Sequence, residues 1–597
     1  MIKLSDYVVR TLADWGVRDI FMMTGGGAMH LNDSIGQESR IRYICTHHEQ
    51  VAAMAAEGYS RVSGLPGVVN VTTGPGGINA LNGVFGAWTD SIAMLVLSGQ
   101  VKRQTCMATA GTRNLRQLGD QEVNIVSMVR GVTKYAQLID DPTSIRYHLE
   151  RAWRLCRTGR PGPCWLDIPI DVQSAQIDET ALRAYDPAED AIPSDPALLQ
   201  QQVQEVIERI TAAKRPVLLA GTGVRLAGAL DEFEQAIRKL QIPVTTAWTH
   251  DLIASDDPLY CGRPGTIGDR AGNFTVQNAD LVLVLGSRLN LRQVSYNWSS
   301  FAPDAFKIQV DVDPAELSKP LVTPDLAIAA DLKLFLANLV QTLDRAACQP
   351  RHAPWLAWCR QRVSRYPVVQ DRQRLPGPPL NPYYFMELLS ARLAPDDVVI
   401  CGNASACILP FQVMKIRRGQ RLISNSGAAS MGYDLPASIG AAVARNGKRV
   451  ICLAGDGSLQ LNIQDLQTVV YHQLPVKLFV LNNGGYLSIR STQKNFFGRL
   501  MGEGPRSGVS FPDFVKVGNA YGLPSIRVDC ATGMDKVQSA LDTPGPALIE
   551  IMLDPEQEFE PRSRSKVLPD GTIVSPPLED MYPFLSPEEL AANKARD

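Results

Sequence analysis

Two short polar motifs stand where apolar runs end. Gly455-Asp456-Gly457 follows VICLA, and 24 residues later Asn482-Asn483 follows KLFVL. The segment between them, SLQLNIQDLQTVVYHQ, has apolar residues at helical spacing (Leu461, Leu466, Val469, Val470) and predicts the helix of a β-α-β unit. Asp456 and Asn483 would then stand at the carboxyl ends of neighbouring strands. A carboxylate, an amide oxygen, a backbone carbonyl and water suit Mg²⁺, a hard cation that takes octahedral oxygen ligands. Gly455 and Gly457 let backbone approach closely. The helix start at Ser458 offers N–H groups to a phosphate. The metal would neutralise a diphosphate. For G-D-G alone the competing reading is a tight turn with an incidental Asp; the N-N pair at this spacing argues against it.

A carboxylate is the second candidate. In RYICTHHEQVAAMAAEGYSR, Glu49 stands where a strand (Arg42–Cys45) gives way to an Ala-rich helix. Ala52, Ala53, Ala55 and Ala56 imply close packing, so Glu49 enters a poorly solvated place. Burial raises a carboxyl pKa, and such a group can share a proton with a ring nitrogen. Taken alone, Glu49 also reads as a helix-start carboxylate favoured by the dipole. Glu57 is the competing acid, and a structural ion pair is expected there. In NVTTGPGGINA, Gly74-Pro75-Gly76-Gly77 joins a strand to a helix, a turn that holds phosphate or merely connects.

Apolar strand-like runs that position such residues recur along the chain: 67–73, 93–99, 215–221, 280–287, 397–403, 449–457 and 476–483. Continuous apolar strands alternating with helical patterns mean α/β architecture: parallel sheets wrapped on both faces, with ligands at the carboxyl edges. Two Pro-rich stretches, 185–196 and 374–382, read as linkers. They divide the chain into doubly wound domains at 1–180, 190–345 and 380–555, followed by a polar tail, 556–597. That tail is expected to lie over the surface on an aromatic-anchored segment.

Composition narrows the partners. Lys plus Arg is 59 against 61 Asp plus Glu, a net charge of −2, so nothing points to nucleic acid or an anionic membrane. No run approaches the ~18 apolar residues of a membrane span, and MIKLSDYVVRTLADWG reads as an amphipathic helix, not a signal peptide. The 11 Cys include no C-x-x-C and lie mostly in apolar runs. They are expected buried and reduced, in keeping with a cytoplasmic protein. With 7 His and no H-x-x-x-H pair, a zinc site is not expected.

Together these pieces resemble the thiamine-diphosphate (ThDP) enzymes of the acetolactate synthase and pyruvate oxidase superfamily. The matching segments are F-M-M-T-G-G-G (21–27), H-H-E-Q (47–50), T-T-G-P-G-G-I-N-A (72–80), T-K-Y (133–135), D-V-D-P-A-E (311–316), S-M-G-Y-D-L-P-A-S-I-G-A (430–441), G-D-G-S-L-Q-L-N-I-Q-D-L (455–466) and L-N-N-G-G-Y (481–486). They run in family order over most of the chain. The resemblance implies that Glu49 bonds N1′ of the aminopyrimidine and promotes the imino tautomer that deprotonates the thiazolium. Met431 would be the wedge bending the coenzyme, with its N–H and the Ala429 carbonyl gripping the pyrimidine. Asp456, Asn483 and the Gly485 carbonyl would ligate Mg²⁺, and Thr73, Gly74 and Asn79 would line the pocket. Glu49 and the diphosphate site would come from different subunits, making a homodimer the minimum and a homotetramer common.

The segments LLAGTGVR (218–225), GTIGDRAGN (265–273), VLGSRLNLR (284–292) and QVDVDPAE (309–316) resemble the half of acetolactate synthases that binds a structural FAD. They suggest contacts at Gly221, Gly223, Arg270, Ser287, Arg288 and Asp313, although Asp313 reads equally as a strand terminator. Segment 100–125 lacks the His of aldehyde-releasing decarboxylases. Together with Gln121 and Thr133-Lys134, it resembles a carboligase in which an acetyl carbanion from pyruvate attacks a ketone. Two departures enlarge the acceptor pocket: Leu118-Gly119-Asp120 stands where an aromatic is usual, and Thr492 stands where those enzymes carry Trp. With the P-L-E-D-M-Y-P-F-L tail, these features look closer to carboligases of the yersiniose type, which act on nucleotide-linked deoxysugars. A housekeeping acetolactate synthase and a ThDP-dependent C–C hydrolase or oxidase are the alternatives.

Overall fold

A computed structural model describes residues 1–111, 114–248, 250–345, 351–567 and 570–595. Every apolar run singled out above is a parallel strand, and the strands form three sheets with helices on both faces. The first sheet runs Arg42–Cys45, Asp19–Met22, Gly67–Val71, Met94–Gln100, Pro163–Pro169, Tyr135–Leu138. The third runs Arg421–Ile423, Val398–Cys401, Val450–Gly455, Val476–Asn482, Ala547–Met552, Ser525–Val528. Their strand orders are the same. The central sheet has five strands, Val244–Thr246, Pro216–Ala220, Leu281–Leu285, Phe306–Asp311 and Leu326–Ala329. The chain is thus three doubly wound α/β units. No helix among the described residues is long and apolar enough to cross a membrane.

The first and third units share one apolar core. Its centre is the crossing of Glu49–Ser63 over Asp434–Ala444. A Cβ on Gly58 would lie 2.3 Å from the Ala437 carbonyl oxygen, and one on Gly440 1.8 Å from that of Ala55. Glycine is required at both positions because backbone meets backbone there. The Ala-rich run therefore does what its composition suggested: it lets a second helix come very close. His48 caps the first of these helices, its ring accepting from Gln50 N–H at 3.0 Å.

Two expectations need correction. The segment after Gly457 is not one helix but Asp456–Leu459, a 3₁₀ turn Ile463–Asp465, and Leu466–Tyr471. Polar side chains break it: Asp465 accepts from His47 N–H at 3.0 Å and Thr468 Oγ1 at 2.8 Å, while Asn462 bonds the Gly432 carbonyl at 2.7 Å. The tail, for its part, is anchored by Leu578 and Met581, both fully buried, whereas Phe584 is 39% exposed. Leu578 joins the core of the central unit, and its carbonyl accepts from Asn273 Nδ2 at 2.8 Å.

The described cysteines are all unpaired, and most are buried, including Cys164 and Cys452.

Candidate cofactor site

Strands Val450–Gly455 and Val476–Asn482 are parallel neighbours, with Gly455 opposite Leu481, so Asp456 and Asn483 emerge side by side. Both are buried. The Asp456 carboxylate accepts from the N–H groups of Gly457 (2.8 Å) and Gly485 (2.9 Å). Burial pushes its pKa up to about 6. Asn483 Nδ2 donates to Ser405 Oγ at 3.2 Å, leaving Oδ1 buried without a hydrogen-bond partner. A buried amide oxygen without a donor, beside a carboxylate held away from water, suits a hard cation. Gly485 (φ +143°) must be glycine, since a Cβ would lie 2.1 Å from the Glu503 carbonyl oxygen. At Gly457 a Cβ would meet the Tyr486 ring at 2.0 Å; at Gly455 it would meet nothing closer than Ser458 Cβ at 3.8 Å. The chain therefore leaves the space before Gly455 open. The Ser458 hydroxyl donates to Asp434 Oδ2 at 2.5 Å and accepts from Gly432 N–H at 2.8 Å, so at this residue only the backbone remains to meet a phosphate.

Glu49 is 7% exposed. Its Oε2 accepts from Asn79 Nδ2 at 3.0 Å, and Oε1 lies 3.2 Å from where a Cβ on Gly76 would stand. Thr73 Oγ1 is buried without a hydrogen-bond partner. Gly74 (φ +58°) admits the Gln121 carbonyl, which would stand 2.0 Å from a Cβ there. Gln121 thus touches this turn through its backbone, while its side chain is exposed. Ala429 has φ +52°, and its carbonyl accepts from Asn403 Nδ2 at 3.4 Å. Met431 is half-buried between Ser430 and Gly432. Glu57 forms the expected ion pair, 2.6 Å from Arg61. Within the same chain, His47 and Gln50 reach Asp465 and Asn462 of the third unit, so the Glu49 turn already packs on its own diphosphate-type unit.

Sequence reasoning missed three supports. Arg490 pairs with Glu503 at 2.6 Å and donates to the carbonyls of Gly484 (3.0 Å) and Asn483 (3.4 Å), fixing the N-N turn. Buried Glu122 gathers the N–H groups of Met107, Leu118 (3.1 Å) and Gly119 (3.0 Å), shaping the loop that ends at Gln121. Buried Asp434 receives Ser458. No periodicity marks any of them; only the polar positions beside the motifs gave a signal. Lys134 instead caps the carbonyls of Leu155 and Thr158, both at 2.6 Å.

In the central unit, Gly221 and Gly223 face Gly286, where a Cβ would lie 2.3 and 2.7 Å from its backbone. Ser287 is buried, its carbonyl accepting from Gln309 Nε2 at 3.2 Å. Arg288 reaches 4.0 Å from Asp90 of the first unit. Two of the suggested contacts are engaged within the chain. Arg270 donates to the carbonyls of Met581 (3.3 Å) and Pro583, so the tail holds it. Asp313 caps Pro314–Leu317 through Ala315 N–H at 3.0 Å and pairs with Arg160 at 2.9 Å, which is the strand-terminating reading. A cavity between the central and third units is lined by Trp248, Arg263, Gly265, Arg292 and Phe411.

Two α/β units of one topology, one ending in G-D-G and N-N and the other presenting a buried acid, define a coenzyme-binding enzyme. Residues 2–128, 203–339 and 402–551 match, in turn, the thiamine pyrophosphate enzyme N-terminal TPP binding, central and C-terminal TPP binding domains. The chain is 33% identical over 578 residues to a probable chloroplastic acetolactate synthase 2 of Oryza sativa subsp. japonica, covering 93% of this chain and 83% of that one. It is 31% identical to the acetolactate synthase isozyme 1 large subunit of Escherichia coli (strain K12), covering 93% and 95%. With the large subunit from Lactococcus lactis subsp. lactis (strain IL1403) the identity is 30%, covering 93% of each. The chain belongs to the thiamine-diphosphate-dependent enzymes of the acetolactate synthase and pyruvate oxidase superfamily.

Proposed function

We propose that this enzyme decarboxylates pyruvate and joins the two-carbon unit to a ketone, giving a branched tertiary alcohol, and gives acetolactate when pyruvate is the only acceptor. The observation that carries the reading is Glu49: buried, held through Oε2 by Asn79, with Oε1 so close to Gly76 that a Cβ there would stand 3.2 Å away. Bound ThDP supplies the nucleophilic carbon that attacks a 2-oxo acid. With ThDP bound, Glu49 would hold the proton at a ring nitrogen, Met431 would pack against the coenzyme, and the Ala429 carbonyl and Met431 N–H would orient it. Asp456, the Asn483 amide oxygen and the Gly485 carbonyl are assigned to Mg²⁺. Thr73, with its unpartnered hydroxyl, and Gly74 line the wall that Gln121 approaches. Thr492, exposed on Leu487–Phe496, is assigned to the acceptor side of the site, where its small side chain supports an acceptor larger than pyruvate. The experiment is product analysis with pyruvate alone and with pyruvate plus a cyclic ketone. CO₂ release with a tertiary alcohol is expected; absence of CO₂ in both overturns the reading.

Acetolactate formation as the main activity is the second reading, favoured by the relatives' names. A dominant acetolactate product in the presence of the ketone selects it. FAD is assigned to the central unit, where buried Thr246 Oγ1, Gln309 Oε1 and Arg263 Nε lack hydrogen-bond partners near the strand ends and cavity. A yellow purified protein tests this. A homo-oligomer is supported by exposed Ile78, Phe85 and Trp88, which recur at helical spacing on Pro75–Thr89. Light scattering reads its size. A cytoplasmic location is part of the same proposal, from the unpaired buried thiols.

A further inference from the structure

One buried acid of the third unit has no part in the chemistry assigned above. Asp434 opens the helix Asp434–Ala444 and is fully buried. Its Oδ1 accepts from Leu435 N–H at 2.9 Å, in keeping with a carboxylate at a helix start. Its Oδ2 does something else: it accepts the Ser458 hydroxyl at 2.5 Å, the short contact of a charged acceptor. Among the described residues no cation pairs with this carboxylate, and burial pushes its pKa up to about 6. The fold makes room for it, since a Cβ on Gly402, just past Val398–Cys401, would lie 2.5 Å from Oδ2. A carboxylate buried without a cation is costly, and a helix start can be served at the surface, so the contact that distinguishes Asp434 is the one to Ser458.

Ser458 carries that contact to the Met431 turn. A hydroxyl has one proton, and here it goes to Asp434, so Ser458 Oγ is left to accept from Gly432 N–H, at 2.8 Å. The Gly432 carbonyl accepts from Asn462 Nδ2 at 2.7 Å. Both polar groups of the residue after Met431 are therefore held by the segment that begins at G-D-G. The turn needs such holding: Ala429 (φ +52°) and Gly432 (φ +81°), on either side of Met431, are both left-handed, which is unfavourable for an alanine. A Cβ on Gly432 would lie 2.7 Å from Asn462 Nδ2, so the turn is already pressed onto that segment. Ser458 directly follows Gly457, at the end of the turn assigned to the diphosphate.

We propose that Asp434 is a positioning residue: acting through Ser458, it sets the separation of the Met431 turn from the G-D-G turn, and so the shape in which the coenzyme is held between its bend and its diphosphate. Met431, Gly432, Asp434 and Ser458 all belong to the third unit of one chain, so the inference holds whichever subunit supplies Glu49. It rests on the function proposed above in taking pyruvate as the substrate and Met431 as the residue that packs against ThDP. Without the carboxylate the hydroxyl is free to turn away from Gly432, whose buried N–H then lacks an acceptor.

The test uses Asp434→Asn, Ser458→Ala and their double variant, each loaded with ThDP and Mg²⁺. Asparagine keeps the shape but offers one acceptor oxygen, where the carboxylate offers one each to Leu435 N–H and the Ser458 hydroxyl. Three quantities are read: kcat and KM for pyruvate, the rise in unfolding temperature on loading, and the near-ultraviolet circular dichroism of the bound coenzyme. Each single variant is expected to lower kcat by about tenfold to a hundredfold, the cost of misplacing reacting groups by about an ångström. KM should move less, and the dichroism should change in the same variants. The rise in unfolding temperature should persist, because the groups left to meet the diphosphate at Ser458 are backbone ones. The double variant should be no worse than the poorer single, because residues acting as one unit are not additive. Losses that multiply in the double variant overturn the proposal. So does a lower unfolding temperature of the unloaded protein with full kcat and unaltered dichroism, the result of a merely structural role. If Asp434→Asn fails to fold, Ser458→Ala decides by the same readings. If the unaltered enzyme releases no CO₂ from pyruvate, the functional reading fails, and the dichroism alone decides the role of Asp434: a changed signal in the variants supports it and an unchanged one overturns it.

Discussion

The third and central units are built alike, yet their strand ends are used differently. At the ends of Val450–Gly455 and Val476–Asn482, the polar atoms come from residues locked to those strands, and one of them, Asn483 Oδ1, keeps no partner within the chain. At the ends of Pro216–Ala220 and Leu281–Leu285, glycines pack on glycine, and the charged groups nearby are engaged by distant chain: Arg270 by the tail, Asp313 by Arg160 of the first unit. The unmatched side-chain atoms of the central sheet, Thr246 Oγ1 and Gln309 Oε1, lie instead on two other strands, Val244–Thr246 and Phe306–Asp311.

The sharpest way to break this comparison lies at the acid. Glu49→Gln should slow pyruvate decarboxylation by about 10²–10⁴-fold, the range for a lost proton-transfer group. ThDP and Mg²⁺ should still raise the unfolding temperature, because the diphosphate end is untouched; unchanged turnover would remove Glu49 from its role. Next comes the unmatched amide. Asn483→Leu should raise the Mg²⁺ concentration needed for ThDP to protect against unfolding by at least about tenfold, the loss seen even for groups one step removed from a metal. An unshifted Mg²⁺ titration would leave the third unit no different from the central one.

A smaller effect is expected in the first sheet. Asp167 is buried between Ser98 (2.6 Å) and Gln100 (3.0 Å), and burial pushes its pKa up to about 7. The folded chain therefore binds a proton there that the unfolded chain releases near pH 4. Its destabilising effect is absent below that pH, grows as pH rises, and is complete above about 7. Asp167→Asn should raise the apparent Tm at pH 8 by roughly 2–4 °C for each kcal/mol recovered, and by much less at pH 5. Equal gains at both pH values would contradict the assignment. The smallest effect belongs to the central unit. Asp313→Asn breaks a half-exposed pair and should cost no more than ~1 kcal/mol of stability, with flavin content unchanged. A colourless variant would restore Asp313 as a ligand.

What the sequence disclosed follows the same division. Strands of the first and third units were legible because apolar runs end in polar residues whose neighbours are fixed by short covalent spacing. Glu49, Asp456 and Asn483 fall within that reach. The engagement of Arg270 was hidden because its partners, the Met581 and Pro583 carbonyls, lie some three hundred residues away and carry no side-chain signature. The break after Gly457 was hidden for a related reason: helical spacing of Leu466, Val469 and Val470 says nothing about Asn462 turning back to Gly432. Glu122 and Arg490 bond mainly backbone groups, which every sequence possesses and none advertises.

The glycine crossing of Gly58 and Gly440 has a mechanical consequence. With no room for even a methyl group between them, the outer two sheets are welded into a single rigid block. Sliding one helix past the other would drive backbone into backbone, so the crossing holds the two outer units in register.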